Sequence, residues 1–189
     1  MTHILKYLLN RYKWKKCTKK FASIGSDSYA DQGFSIIHGE HIYIGNNFSS
    51  GRFLKLQTWE YYNEKNTGYT PHLEIGNNFI CQDNVLISCM DNILIGDNVL
   101  FGDNVFISDN LHGDCSIPSQ RKLHPIKRPL ISKGPIRIGS NVWIGRNVCI
   151  MGNVQIGDSA VIGANAVVTH DIPANSVAVG CPAKVIKKY

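Results

Sequence analysis

The sequence is poor in charge and lacks any long apolar run. Charged residues make up 18% of its 189 positions and hydrophobic ones 43%, against a usual charged fraction of about 25%. That excludes a chain too polar to bury a core. No apolar stretch approaches the ~20 residues of a membrane-spanning helix. Near the start, Ile4-Leu5-Lys6-Tyr7-Leu8-Leu9 is broken by a lysine and followed by no small-residue cleavage site, so no secretory leader is expected. The 6 cysteines (Cys17, Cys81, Cys89, Cys115, Cys149, Cys181) form no C-x-x-C pair and no disulfide-style spacing. A reduced, cytoplasmic protein is the expectation. Acid is missing from one stretch altogether. Residues 1–22 hold Lys6, Arg11, Lys13, Lys15, Lys16, Lys19 and Lys20 without one Asp or Glu, leaving 13 of the 20 bases against all 14 acids elsewhere. The net charge of +6 therefore belongs to the N-terminal segment. A nucleic-acid-binding domain shows its basic face on the folded body, so no nucleic-acid partner is expected.

What the sequence has in abundance is repetition. From Ile138 an aliphatic returns every six residues, at Ile144, Ile150, Ile156, Ile162 and Val168. Gly139, Gly145, Gly157 and Gly163 follow four of these, and Val142, Val148, Val154, Ala160, Ala166 and Ile172 stand four positions after each in turn. Variants of one phrase occur earlier, at Ile44-Gly45-Asn46-Asn47-Phe48, Ile75-Gly76-Asn77-Asn78-Phe79, Ile95-Gly96-Asp97-Asn98-Val99 and Phe101-Gly102-Asp103-Asn104-Val105. A helix needs spacings of three and four, and no single strand carries a glycine at every sixth position. Short strands joined by tight turns do fit, with Gly and Asn or Asp accepting the turn dihedrals. Three hexads closing a triangle give an 18-residue coil, stacked on its neighbours as a parallel β-helix. The chain is thus expected to be all-β, a hexapeptide-repeat solenoid over 23–180.

The rhythm breaks in four places. Between Ile87 and Ile95 the step is eight, a two-residue bulge at Asp91-Asn92. The excursion 109–135 carries Pro118, Pro125, Pro129 and Pro135, too many for a regular element. Long loops leaving a rigid scaffold are commonly functional. Residues 51–72, with Trp59, Tyr61, Tyr62 and Tyr69, read as a second irregular stretch, and 181–189 as a short basic tail. In 1–22, Ile4, Leu5, Leu8, Leu9 and Tyr12 have helical spacing. The favoured reading is a helix capping the open end of the solenoid. The other is peripheral contact of residues 1–20 with the inner face of the cell membrane, each base near an anionic surface contributing ~1 kcal/mol.

Over about residues 35–189 the sequence resembles the hexapeptide-repeat acyltransferases, in particular the sugar O-acetyltransferases of bacterial surface polysaccharides, themselves similar to galactoside and maltose acetyltransferases. The motifs that carry the resemblance are Ile107-Ser108-Asp109-Asn110-Leu111-His112-Gly113, Arg128-Pro129-Leu130, Ile138-Gly139-Ser140-Asn141-Val142-Trp143-Ile144-Gly145, Ile162-Gly163-Ala164-Asn165-Ala166-Val167-Val168 and Gly180-Cys181-Pro182-Ala183-Lys184. The resemblance implies a left-handed β-helix, against the general right-handed preference of parallel crossovers. It also implies a homotrimer with acetyl-CoA in the cleft between subunits.

Acyl transfer to a sugar hydroxyl needs a base, and histidine titrates near working pH. His112, at the root of the excursion, matches the family's catalytic histidine. Asp109 either orients that imidazole or only forms a turn. Where the family branch often has a second histidine this chain has Asn110. Gln82 aligns with an acceptor-binding asparagine, and Asn84 is the nearby alternative; both also read as turn amides. The resemblance places Trp143, Arg146, Ala164, Thr169, His170, Lys184 and Lys187 along the coenzyme, although Trp143 also suits a subunit contact and the two lysines a solvated tail. The bases of the excursion face either an acidic glycan, coenzyme phosphates or solvent. The Trp59, Tyr61 and Tyr62 cluster either stacks on a sugar or packs under the coil.

The expected activity is acetyl-CoA-dependent transfer of acetyl to a hydroxyl of a surface-polysaccharide sugar or its precursor, directly and without an acyl-enzyme, Cys115 being the thiol to watch. An amino-sugar N-acetyltransferase and a non-catalytic β-helix scaffold are the alternatives. A zinc hydratase of the same fold needs several histidines around the metal. His38, His41, His72, His124 and His170 show no ligand pairing with His112, so no metal is expected.

Overall fold

A computed structural model describes residues 3–189, with side chains from Leu5 onward, so the role expected of Ile4 in the helical stripe falls outside the described side chains. The chain winds as a left-handed parallel β-helix, a three-sided prism. The first face stacks Ser23–Ile24, Ile42–Ile44, His72–Ile75, Asn92–Ile95, Ile136–Ile138 and Val154–Ile156. The second stacks Tyr29–Ala30, Ser49–Ser50, Ile80–Cys81, Leu100–Phe101, Trp143–Ile144, Val161–Ile162 and Ser176–Val179. The third stacks Ser35–Ile37, Lys55–Thr58, Leu86–Cys89, Phe106–Ser108, Cys149–Met151 and Val167–Val168.

The hexad explains this shape residue by residue. Ile138 and Ile156 point inward from the first face, Ile144 and Ile162 from the second, and Ile150 and Val168 from the third; all are buried. Two of the three corners repeat a left-handed residue, usually asparagine, whose short polar side chain lowers the cost of that conformation. Asn47, Asn78, Asn98 and Asn141 form one column, with φ of 58, 56, 56 and 59°. Each passes an amide N–H to the next carbonyl oxygen, at 2.8, 2.9 and 3.3 Å. Asn104, Asn147 and Asn165 do the same along the second corner, at 2.9 and 3.0 Å. Glycine is required where adjacent coils touch: a Cβ on Gly102 would stand 2.7 Å from the Arg146 backbone nitrogen.

All length variation leaves from the remaining corner, between the third face and the first. Successive coils repeat after 20, 31, 20, 43, 18 and 16 residues, so one has the length of three plain hexads and the last is two residues shorter. The expected eight-residue step is the bulge at Asp91. The excursion is more regular than its prolines suggest. Its root is an antiparallel ribbon of Asn110–His112 with Leu130–Ser132, and between these lie a helical turn, Pro118–Arg121, and a 3-10 turn, Pro125–Lys127. Pro118 and Pro125 open their turns, where no backbone N–H is needed.

Two other expectations are corrected. Residues 51–58 belong to a coil, disguised because Phe53 (φ 61°) occupies the left-handed corner position; the true insertion is the hairpin Tyr61–Tyr62 with Lys65–Asn66. The basic C-terminus is not a solvated tail. Lys184–Lys188 returns antiparallel onto Ser176–Val179 and closes the second face.

The helix α1 (His3–Cys17) caps the N-terminal end. Its inward residues are Asn10 and Trp14. Trp14 stacks on Phe48, which stacks on Phe79, with centroids at 5.8 and 5.4 Å, extending an internal aromatic column. Asn10 Nδ2 donates to the Ala30 carbonyl at 2.7 Å. The expected stripe Leu5, Leu8, Leu9, Tyr12 is not the packed face: all four are exposed.

Candidate active site

The corner that holds every insertion also holds His112. Its position is set from below by a buried polar chain. Trp59 Nε1 donates to Ser88 Oγ at 2.9 Å, and Asn110 Nδ2 reaches Ser88 Oγ at 3.0 Å and Asp109 Oδ1 at 3.1 Å. Asp109 accepts from the Met90 N–H at 2.8 Å and the Asp91 N–H at 2.9 Å. It is fully buried, and desolvation raises its pKa against the opposing effect of these bonds. The expectation that Asp109 orients the imidazole is therefore corrected. Both carboxylate oxygens are committed to the bulge, because its turned backbone leaves two N–H groups without a strand partner. Asn110, in place of a second histidine, ties the loop root to the coil beneath.

The group that meets His112 is Tyr62, from the hairpin of the preceding insertion. Its hydroxyl lies 3.4 Å from His112 Nδ1 and 3.1 Å from the Ile126 carbonyl oxygen. The rings meet edge to face at 5.5 Å. A carbonyl can only accept, so the Tyr62 proton goes to Ile126 and the hydroxyl oxygen is left to accept from Nδ1–H. This network assigns the tautomer with the proton on Nδ1 and a bare Nε2 on an exposed ring. Asn63 Nδ2 also reaches the Ile126 carbonyl, at 2.9 Å, so the hairpin and the excursion are bonded to each other. A cavity of about 640 Å³ opens between them, lined by Tyr62, Asn63, Lys65, Asn66, Lys127 and Arg128 among others. The aromatic cluster thus splits in role. Trp59 holds the floor, Tyr62 holds the imidazole, and Tyr61 is exposed. Tyr62 escaped assignment to His112 because fifty residues separate them; only the shared corner brings them together.

The other candidate residues stand apart from His112 in one chain. Gln82 and Asn84 are exposed at the corner between the second and third faces, and Asn84 (φ 60°) holds the left-handed corner position, as its turn reading required. Trp143 is 54% exposed on the second face. Arg146 and Ala164 follow on successive coils at the adjoining corner. Lys187 pairs with Val177, whose own partner Val161 lies beside Trp143, so these share one row; Lys184 is on the same terminal strand. Thr169 and His170 are exposed at the end of the third face, with Oγ1 and Nδ1 2.9 Å apart.

Cys81 and Cys89 are poorly suited to act as nucleophiles. Burial raises the Cys81 thiol to about 12 and pushes Cys89 up as well. Cys115 is exposed, with Arg128 Nη1 3.7 Å from its sulfur. Among the described residues no cluster of three or more His, Cys, Asp or Glu is placed to hold a metal ion. His38, His41 and His72 each lie against a single carboxylate, of Glu40, Glu60 and Glu74.

A family model described as bacterial transferase hexapeptide (six repeats) matches residues 135–170. Among solved structures, galactoside acetyltransferase in complex with coenzyme A is 30% identical, with 98% of this chain and 77% of that one covered and a TM-score of 0.54. A maltose O-acetyltransferase from Clostridium difficile 630 is 28% identical over 97% and 82% of the two chains, with a TM-score of 0.51. AntD, an N-acyltransferase from Bacillus cereus in complex with dTDP and 3-hydroxybutyryl-CoA, shares the fold at 20% identity, 94% and 87% coverage and a TM-score of 0.64. No curated protein matches the chain.

Proposed function

The chain belongs to the hexapeptide-repeat acyltransferases, and from that premise we propose that it transfers acetyl from acetyl-CoA to a hydroxyl of a sugar, with His112 as the general base. The observation that carries the reading is the Tyr62–His112 contact, which leaves Nε2 bare at the mouth of an open corner. Nε2 takes the proton of the acceptor hydroxyl as its oxygen attacks the thioester carbonyl. The tetrahedral intermediate then collapses, the carbon–sulfur bond breaks, and the imidazolium returns the proton to the departing thiolate. No acyl-enzyme is needed. The bound coenzyme A of the 30%-identical galactoside acetyltransferase supports the donor, and that enzyme and the maltose O-acetyltransferase support a sugar hydroxyl as acceptor. A surface polysaccharide or its precursor is the acceptor class we assign.

The working unit in this reading is a homotrimer. Ile80, Leu100 and Trp143 form an exposed outward row on the second face. Leu86, Phe106, Cys149 and Val167 form a half-buried row on the third. These rows flank one corner as an apolar wedge, of the kind that marks a subunit contact. Association through it supports bringing Trp143 of one chain towards His112 of another. The test incubates the protein with acetyl-CoA and a panel of sugars and glycan precursors, following thiol release. His112→Ala is expected to slow turnover by about 10²–10⁴. Unchanged turnover in that variant would remove the histidine from the mechanism, and no thiol release with any acceptor would favour a scaffold.

A further inference from the structure

The outer face of α1 is unaccounted for by acetyl transfer. At about 100° per residue, Tyr7, Asn10 and Trp14 lie on the side turned to the first coil, where Tyr7 meets Tyr29 with ring centroids at 5.6 Å. The opposite arc carries Leu5, Leu8, Leu9 and Tyr12, exposed at 46, 55, 43 and 67%. A helix serving only as a lid has its apolar residues inward and polar residues outward; this one is apolar on both sides. Lys13 and Lys15 border the outer arc, Lys16 lies within it, and no acid occurs before Asp27. Among the described residues, none of the ion pairs involves a base of the first 22. The charge is therefore left for something outside the chain, on the same surface as the unpartnered apolar stripe.

We propose that α1 docks the protein on an anionic lipid bilayer. It lies parallel to the surface, with Leu5, Leu8, Leu9 and Tyr12 entering the headgroup region and the lysines over the lipid phosphates. Exposed leucines and a tyrosine interspersed with and flanked by bases suit contact with an anionic interface, since lysine stems can lie along the apolar surface while their ammonium groups reach the phosphates. An RNA or DNA partner would use the bases and have no use for the leucines. The cap contacts are unaffected, since they come from the other side of the helix. The His112 coil stands three strand spacings beyond the first coil, about 14 Å, so docking leaves the insertion corner clear of the surface. The inference does not depend on the acetyl acceptor and is tested without it.

The full chain is sedimented with vesicles of phosphatidylcholine alone and with an equimolar phosphatidylcholine and phosphatidylglycerol mixture. Binding is expected only to the anionic vesicles, weakening as salt is raised. Lys15→Ala and Lys16→Ala should each weaken it about five-fold, and the double variant Leu8→Glu with Tyr12→Glu should abolish it while thermal melting is unchanged. Failure to bind anionic vesicles would overturn the proposal. So would binding that survives the Leu8→Glu and Tyr12→Glu pair, which marks general polyanion attraction. A change of oligomeric state in that pair, seen by light scattering, would reassign the face to contact between copies.

Discussion

Replacing Tyr62 by phenylalanine isolates what positions the imidazole. The change removes one oxygen and leaves the ring, its edge contact with His112 at 5.5 Å and its contact with Trp59 at 6.2 Å. The imidazole loses a hydrogen-bond acceptor for Nδ1–H, worth about 0.5–1.5 kcal/mol net, and thus a rate loss of roughly 2- to 13-fold. Tyr62→Ala also forfeits the ring–ring contact, a further 0.5–1.5 kcal/mol or so. The Tyr62→Phe loss stays below the ~10²–10⁴-fold expected when the base itself is removed, and Tyr62→Ala, at about 1–3 kcal/mol in all, reaches at most the lower end of that range. The assay is steady-state thiol release with acetyl-CoA and a working acceptor, separating kcat from KM. Because the bond fixes the tautomer and not the coenzyme, kcat should fall while the KM for acetyl-CoA holds. Wild-type turnover in Tyr62→Phe would refute the reasoning. So would a loss as deep as that of His112→Ala, which would make the hydroxyl a direct participant.

Asp109→Ala orphans the N–H groups of Met90 and Asp91, at about 1–3 kcal/mol for each one left buried and unpaired, and should lower the melting temperature by about 2–4 °C per kcal/mol. Because burial raises the folded-state pKa of Asp109, the native state holds a proton the unfolded chain has released. The wild-type advantage over the variant should shrink as pH rises from about 3.8 through that raised value, in melts across an acid pH series. Cys115→Ser should keep near-full turnover and yield no acetylated protein by mass spectrometry if the proposed direct transfer holds; loss of turnover with an acetyl-thioester trapped on the wild-type chain would restore a covalent route. Phe53→Asn should stabilise by up to about 1 kcal/mol in chemical denaturation, because a bulky residue at φ 61° gives way to one that tolerates it.

The solenoid was legible because the hexad is a local rule that each coil obeys alone. Ile138 to Val168 announce strands, turns and inward faces without reference to anything distant. The candidate base was singled out for another reason: His112 sits inside a motif, at the point where the repeat stops. Its neighbours were not. Tyr62 and Asp109 acquire their partners from coils 50 and about 20 residues away, and no spacing in the sequence states which insertion leans on which. The role of α1 was half legible. Helical spacing identified the helix and its apolar stripe, but a stripe does not say which side of a helix the protein takes, and Trp14, the residue that does pack inward, lies outside it.

The confinement of every insertion to one edge of the prism has a practical corollary. Two edges set the pitch through their asparagine columns and tolerate no change of length, while the third is free of that duty. Segments such as the Tyr61–Asn66 hairpin and the 109–135 excursion are in effect removable fittings on a fixed mandrel. Chimeras that exchange them between related enzymes should retain the rod and inherit the donor's choice of acceptor.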